Sequence, residues 1–194
     1  MKKLLLWLTS LTVLFAWITS ANAVSDYAQD DEFVDAVSWM YWKNITKYKT
    51  ASSFNPEGIV LREHAAKFFT EFSVNLLYNS IDTAKKDCDF KDLIQGDPTL
   101  TNSILNSCYL DIFYGNRDKF FPTQPLTKAE AIVALVRTID GKQPEVDKLV
   151  WRGNYTLRAY ELGLSKETDP VSQDRIMTRY EMALLLYRAK YSLK

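Results

Sequence analysis

Histidine, cysteine and net charge are all scarce in this chain: its 194 residues include one His, two Cys, and 24 basic against 24 acidic side chains. Most catalytic and metal-binding sets are built from His and Cys, so we expect no enzyme, no metal site and no cofactor. Because the formal charge is zero, nothing attracts a nucleic acid over long range, and we expect none as a partner. A hydrolase with paired carboxylates is a remote alternative, since no such pair stands out.

Long apolar runs are also lacking, apart from one at the start of the chain. Lys2 and Lys3 precede an apolar stretch from Leu4 to Ile18, and Ala21-Asn22-Ala23 follows it. This order is typical of a secretory signal peptide, so we expect residues 1–23 to be removed and the mature protein to be secreted without a membrane span. An uncleaved anchor is the alternative, although the run is shorter than the roughly 20 residues that a spanning helix needs.

The two cysteines, Cys88 and Cys108, are 20 residues apart. In an exported protein such a pair is a candidate for a disulfide, which would stabilise the fold by about 3 kcal/mol in the loop-entropy model. Two buried free thiols are the alternative.

One pattern recurs three times along the chain: an apolar helical stretch, a short turn, a loop, and a second apolar helix opened by a basic residue. We expect three units of helix, loop and helix, at residues 24–80, 81–141 and 142–194. The first helices are predicted at Phe33 to Lys43, Leu100 to Leu110 and Val150 to Leu162, and the basic residues are Arg62, Lys128 and Arg179.

The turn after each first helix carries Asn44, Asp111 or Gly163. These three residue types best tolerate the left-handed conformation that ends a helix, so we expect that conformation at each position.

Two of the second helices begin with a Thr-x-x-Glu motif. Thr127 with Glu130, and Thr178 with Glu181, match the capping box, in which each side chain accepts a hydrogen bond from a backbone amide at the helix start. A basic residue between them lies in the first turn, where free amides and the positive end of the helix dipole favour a bound anion.

Each second helix also carries one apolar stripe at helical spacing, which predicts a buried face. Because a two-helix unit cannot bury its own apolar face, we expect the three stripes to share one core in an all-α fold with little or no strand. The stripes are Ala65, Phe68, Phe69, Phe72 and Leu76, then Ala131, Ile132, Leu135, Val136 and Ile139, and finally Tyr180, Ala183, Leu184 and Tyr187.

The motifs together resemble the S-layer homology repeat over residues 30–191. They are Phe54-Asn55-Pro56 and Phe120-Phe121-Pro122 in the loops, and Leu-Thr-Lys-Ala-Glu-Ala from 126 and Met-Thr-Arg-Tyr-Glu-Met-Ala from 177 at the helix starts. The first unit departs at Leu61 and His64, in place of Thr and Glu. The third has Val171-Ser172-Gln173 in place of the aromatic-Pro loop.

The resemblance implies a pseudo-threefold, all-α bundle whose grooves bind anionic, often pyruvylated, cell-wall polysaccharide. Lys128, Arg179 and Arg62 are then the expected glycan contacts. Removal of residues 1–23 leaves 22 basic and 24 acidic side chains, so local basic groups have to recruit an anion.

We therefore expect a non-enzymatic protein of the bacterial cell surface, associated with the cell wall or S-layer, that binds wall polysaccharide, with other envelope proteins as further candidate partners. A protein interaction scaffold without glycan binding is the alternative. The motifs also have a purely structural interpretation, as helix caps with a solvated cation. Aromatic residues near them are expected in the core rather than stacked on sugars; they are Phe54, Phe113, Tyr114 and Phe120.

Overall fold

The structure, a computed structural model, describes residues 27, 29–84, 87–144, 151–166 and 173–193. Within these ranges there are six α-helices and no β-strand beyond isolated bridges, so the all-α prediction is confirmed. The helices are α1 (Asp31–Trp42), α2 (Arg62–Leu77), α3 (Thr101–Tyr109), α4 (Lys128–Asp140), α5 (Trp151–Glu161) and α6 (Arg179–Ala189). Short 3-10 helices cover Ser52–Phe54, Leu93–Gln95, Pro98–Leu100 and Lys190–Ser192.

The turns after α1, α3 and α5 have one geometry. Asn44, Asp111 and Gly163 all have positive φ, at 56°, 62° and 70°, so the predicted left-handed residues are confirmed. In each case the next residue is buried and its N–H bonds to a carbonyl in the last turn of the helix. These bonds join Ile45 to Met40 at 2.8 Å, Ile112 to Ser107 at 2.9 Å, and Leu164 to Ala159 at 2.8 Å.

The apolar stripes of α2, α4 and α6 form the centre of the molecule. Their residues are buried, except for four that are partly buried and pack against the core: Leu76, Ile139, Tyr180 and Tyr187. The other helices pack on them pairwise, α1 against α6, α3 against α2 and α5 against α4. Each predicted first helix thus contacts the second helix of a different unit.

Three extended segments, one before each of α2, α4 and α6, meet in a ring of backbone hydrogen bonds. The N–H of Val60 donates to the carbonyl of Met177 at 3.0 Å, Met177 donates to Leu126 at 2.9 Å, and Leu126 donates back to Val60 at 2.8 Å. All three side chains are buried. The ring therefore joins the starts of the three helices at one central point.

Loops from distant parts of the chain complete the helix starts. The N–H groups of Arg62 and Glu63 donate to the carbonyls of Gln124 and Pro122, at 2.9 and 3.1 Å. The same relation joins Lys128 and Ala129 to Arg175 and Gln173, and joins Arg179 and Tyr180 to Gly58 and Pro56. Amides that lack a partner within their own helix are thereby satisfied.

The segment before α3 is fastened to the rest of the molecule in two places. Cys88 is joined to Cys108 of α3 by a disulfide with an S–S distance of 2.11 Å, as predicted. The buried carboxylate of Asp92 accepts the N–H groups of Phe120 and Phe121 at 2.8 and 2.7 Å. This segment is therefore part of the packed fold.

The predicted signal peptide, residues 1–23, lies outside the described residues, as do Val171 and Ser172 of the divergent loop. In the part of the chain that the structure describes, no helix has both the length and the apolar character needed to cross a membrane.

Candidate anion-binding clefts

The helix starts hold three basic side chains in equivalent positions. Arg62, Lys128 and Arg179 are each the first residue of a helix, following an extended residue with φ between −83° and −87°. The three residues therefore occupy the same position relative to the starts of α2, α4 and α6.

The two predicted capping boxes are present. Thr127 N–H donates to Glu130 at 2.9 Å, and Glu130 N–H donates to the Thr127 hydroxyl at 3.2 Å. Thr178 and Glu181 repeat this arrangement at 3.0 and 3.3 Å.

In the first unit His64 takes the place of the glutamate. Its Nδ1 accepts the N–H of Leu61 at 3.4 Å, so α2 begins at the same point as α4 and α6 without Thr or Glu. A neutral imidazole thus accepts one of the two hydrogen bonds that define a capping box.

One expectation from the sequence was wrong: the amides of the first turn are not free to bind an anion. The amides of Arg62, Lys128 and Arg179 donate to loop carbonyls, and those of Glu130 and Glu181 donate to the capping threonines. Any anion bound near these helix starts is therefore held by side chains.

Each of the three cations lines a cleft, and each cleft is bordered by a helix other than the cation's own. We call them the Arg179 cleft, beside α2, the Arg62 cleft, beside α4, and the Lys128 cleft, beside α6. The other wall is the turn that follows a first helix. Each cation therefore lies beside the second helix of another predicted unit.

The Arg179 cleft has a volume of about 160 Å³ and contains three basic side chains, Lys47, Lys67 and Arg179, with one acid, Asp97. Arg179 Nε donates to the carbonyl of Phe54 at 2.6 Å, and its guanidinium lies 4.4 Å from the centre of that ring. Its Nη2 is buried and has no hydrogen-bond partner among the described residues. Burial lowers the pKa of Arg179, and no carboxylate in the part of the chain that the structure describes opposes that effect.

The Arg62 cleft is similar in size, about 150 Å³, but its cation is already engaged. Arg62 is only 9% exposed, and it donates to the carbonyls of Phe120 and Tyr114 and to Glu130, at 3.0, 3.3 and 3.5 Å. Burial lowers the pKa of Arg62, while Glu130 opposes that shift. The cleft also contains Arg137, which gives it a small excess of positive charge.

The Lys128 cleft is the largest of the three, at about 540 Å³. It contains four basic side chains and one acid, namely Lys128, Lys166, Arg175, Arg188 and Glu181. Glu181 pairs with Arg175, and Arg188 pairs with Glu32 at 2.6 Å. Ligand pockets commonly have volumes of about 300 to 1,000 Å³, and of the three clefts this one falls within that range.

The aromatic residues near the motifs lie mainly in the core. Phe54, Phe113 and Phe120 are buried, as expected. Tyr114 is half-buried in the Arg62 cleft, and its hydroxyl donates to Asp111 at 3.1 Å. Burial, reinforced by Asp111, raises the pKa of Tyr114 to about 12, so this hydroxyl stays protonated at physiological pH.

In the described residues no group of His, Cys, Asp and Glu side chains is placed to hold a metal ion. Neither the models of known protein families nor the curated proteins yield a match to the chain.

Proposed function

We propose that the protein is exported to the cell envelope and binds an anionic wall polysaccharide through these three clefts, as a compact set of S-layer-homology-like repeats. The ring of Val60, Leu126 and Met177 supports the interpretation as three repeats, because such a cyclic set of bonds is what a pseudo-threefold arrangement requires. The swapped helix contacts and the three equivalent cations support it as well.

Charge supports an anionic ligand. The chain without residues 1–23 has a small excess of acidic residues, yet basic side chains outnumber acidic ones in every cleft. A local concentration of one charge in a concave site attracts ligands of the opposite charge.

Arg179 is the observation that carries the proposal. A half-buried guanidinium with an unpartnered nitrogen, and with no ion pair to a carboxylate among the described residues, is costly to the folded state. A carboxylate or phosphate of a ligand in the cleft would offset this charge. One hydrogen bond to a charged group contributes about 1.5 to 3 kcal/mol, so useful affinity would come from several clefts acting along one polymer.

Retention on purified wall glycan tests the proposal. The mature chain should be retained, and the double variant Lys128→Ala/Arg179→Ala should be released while its circular dichroism spectrum is unchanged. The matched control is Lys49→Ala/Lys119→Ala, which removes two exposed lysines that line none of the clefts. Equal retention of the two double variants would show that the cleft cations are not the ligands.

A protein interaction scaffold is the second candidate, and exposed apolar residues beside the ring favour it. Ile59 is 50% exposed and Ile176 is 43% exposed, although both belong to segments whose next residue is buried. Cross-linking on intact cells separates the two functions, because protein adducts in the absence of glycan adducts would favour the scaffold.

A further inference from the structure

A fourth cavity, with a volume of about 660 Å³, lies where α2 and α4 end, next to the last residues of α3. It contains none of the three cations at the helix starts. Its volume is within the range of about 300 to 1,000 Å³ that is common for ligand pockets.

The lining of this cavity is rich in hydrogen-bond acceptors. Asp82 and Asp111 contribute carboxylates, Ser73 and Asn79 contribute a hydroxyl and an amide that are hydrogen-bonded to each other at 3.0 Å, and Arg137 is the one basic side chain among the described lining residues. The C-terminal ends of two helices add the negative end of the helix dipole and backbone carbonyls without intrahelical partners. The cavity therefore favours a ligand that donates hydrogen bonds, in contrast to the three clefts.

Arg137 connects this cavity to the Arg62 cleft, because it lines both. Its guanidinium lies between the rings of Tyr114 and Tyr155, at 4.5 and 5.0 Å from their centres. It also donates to the Tyr155 hydroxyl at 3.1 Å and to the Ile112 carbonyl at 3.3 Å. The two sites thus share the Arg137 side chain, which these contacts hold in place. Adjacent units of one polymer could lie on either side of it.

We infer that the cavity binds a sugar unit without an acidic group, one that offers hydroxyl or amine donors, next to an acidic unit in the Arg62 cleft. The inference rests on the proposed function in one respect, namely that the sugar belongs to a polymer bound in the clefts. The binding of simple sugars to the cavity is a separate property and can be measured alone.

The test is a titration of the ¹⁵N-labelled mature chain, followed by NMR, with galactose, N-acetylglucosamine, glucosamine and galacturonic acid as probes. Neutral or amine-bearing sugars should shift the amide signals of Asn79, Ser80 and Gly141. The variant Asn79→Ala/Asp82→Ala, at two exposed positions, should bind them about tenfold more weakly, as the loss of one hydrogen bond to a charged group predicts. The matched control, Asp35→Ala/Asn102→Ala, removes the same two side-chain types from exposed sites elsewhere and should bind as the parent does.

Three results would overturn the inference: no shift at these amides with any of the three non-acidic sugars, equal binding by the two double variants, or tighter binding of galacturonic acid than of galactose. Glycan retention separates this inference from the proposed function. If sugars bind the cavity while the Lys128→Ala/Arg179→Ala variant is still retained on glycan, only the proposed role of the cleft cations fails. If that variant is released and no sugar binds the cavity, only the inference fails.

Discussion

In the Arg62 cleft the third residue of the bordering helix is Glu130, and its carboxylate lies 3.5 Å from the Arg62 guanidinium. In the Arg179 cleft the same helical position holds His64, and among the described residues the cation has no acidic partner. The residue at the third position of α2 therefore affects a cation that belongs to α6. Between these two clefts, a carboxylate at this position accompanies a cation that is paired within the fold, and an imidazole accompanies one that is not.

The two clefts should differ most in how much each cation contributes to the free energy of unfolding. Arg62→Ala removes a buried cation from three acceptors and should lower the free energy of unfolding by about 3 to 5 kcal/mol, the usual cost of breaking a buried pair. Arg179→Ala removes an uncompensated charge along with one hydrogen bond and a contact with the Phe54 ring, and should cost about 1 to 2 kcal/mol. Urea denaturation of both variants measures the contrast. Equal losses would mean that Arg179 is as much a structural residue as Arg62.

A second difference is a stretch of chain that lines the Arg179 cleft and does not line the Arg62 cleft. It contains Asp97, Thr99 and Leu100, and it follows the segment that the disulfide anchors at Cys88. Replacing Cys88 and Cys108 by Ser should lower the free energy of unfolding by about 3 kcal/mol, because a loop of 20 residues is no longer closed. Thermal unfolding with and without reductant should show the loss in the parent and no further loss in the variant. A parent that is insensitive to reductant would contradict this expectation.

Replacing the residue at the third position of α2 should make the Arg179 cleft resemble the Arg62 cleft, with a carboxylate beside its cation. His64→Glu places a carboxylate beside Arg179 and should weaken the binding of a small anion such as phosphate or pyruvate about tenfold, by charge repulsion in a partly buried site. His64→Gln retains a neutral acceptor for the helix cap and should bind as the parent does. Isothermal titration calorimetry compares the three proteins, and equal affinities would show that the third position does not control this cleft.

The smallest effect concerns pH. Burial lowers the pKa of His64 from 6.5, helped by Arg179 and Lys67 and opposed by Glu63 and Asp97. The folded state therefore binds fewer protons than the unfolded state just below pH 6.5. Stability should fall as the pH drops through that value, and the loss should be complete below the pKa of the folded state.

His64→Gln should remove this slope without affecting the loss at lower pH, where carboxylates with lowered pKa values such as Asp30 and Asp140 become protonated. Because His64 is the chain's one histidine, its NMR signal reports the pKa directly. A measured value at or above 6.5 would contradict the assignment.

Features that depend on neighbouring residues could be predicted from the sequence. The left-handed turns at Asn44 and Asp111 follow from local backbone preferences, and the capping box of Thr127 and Glu130 follows from a spacing of three residues. The motif also located all three cations at helix starts.

Features that join distant segments could not be predicted in this way. No local pattern indicates that Arg179 lines a cleft beside α2, or that the amide of Arg62 bonds to the carbonyl of Gln124. His64 as the cap acceptor was missed because imidazole is not the usual residue there, although its position three residues after Leu61 was a usable signal. Long-range packing decides these contacts, so they appear only when the fold is assembled.

The ring of Val60, Leu126 and Met177 limits how helix pairs can be added to this fold or removed from it. An open stack of repeats can gain or lose a unit at either end, because each unit contacts only its neighbours. A closed circuit has no end, so deletion of one helix pair would leave two of the three backbone bonds unmade. During synthesis the bond from Val60 can form only after Met177 has been made, because the two residues are far apart in the chain. The three helix starts should therefore assemble in one cooperative step.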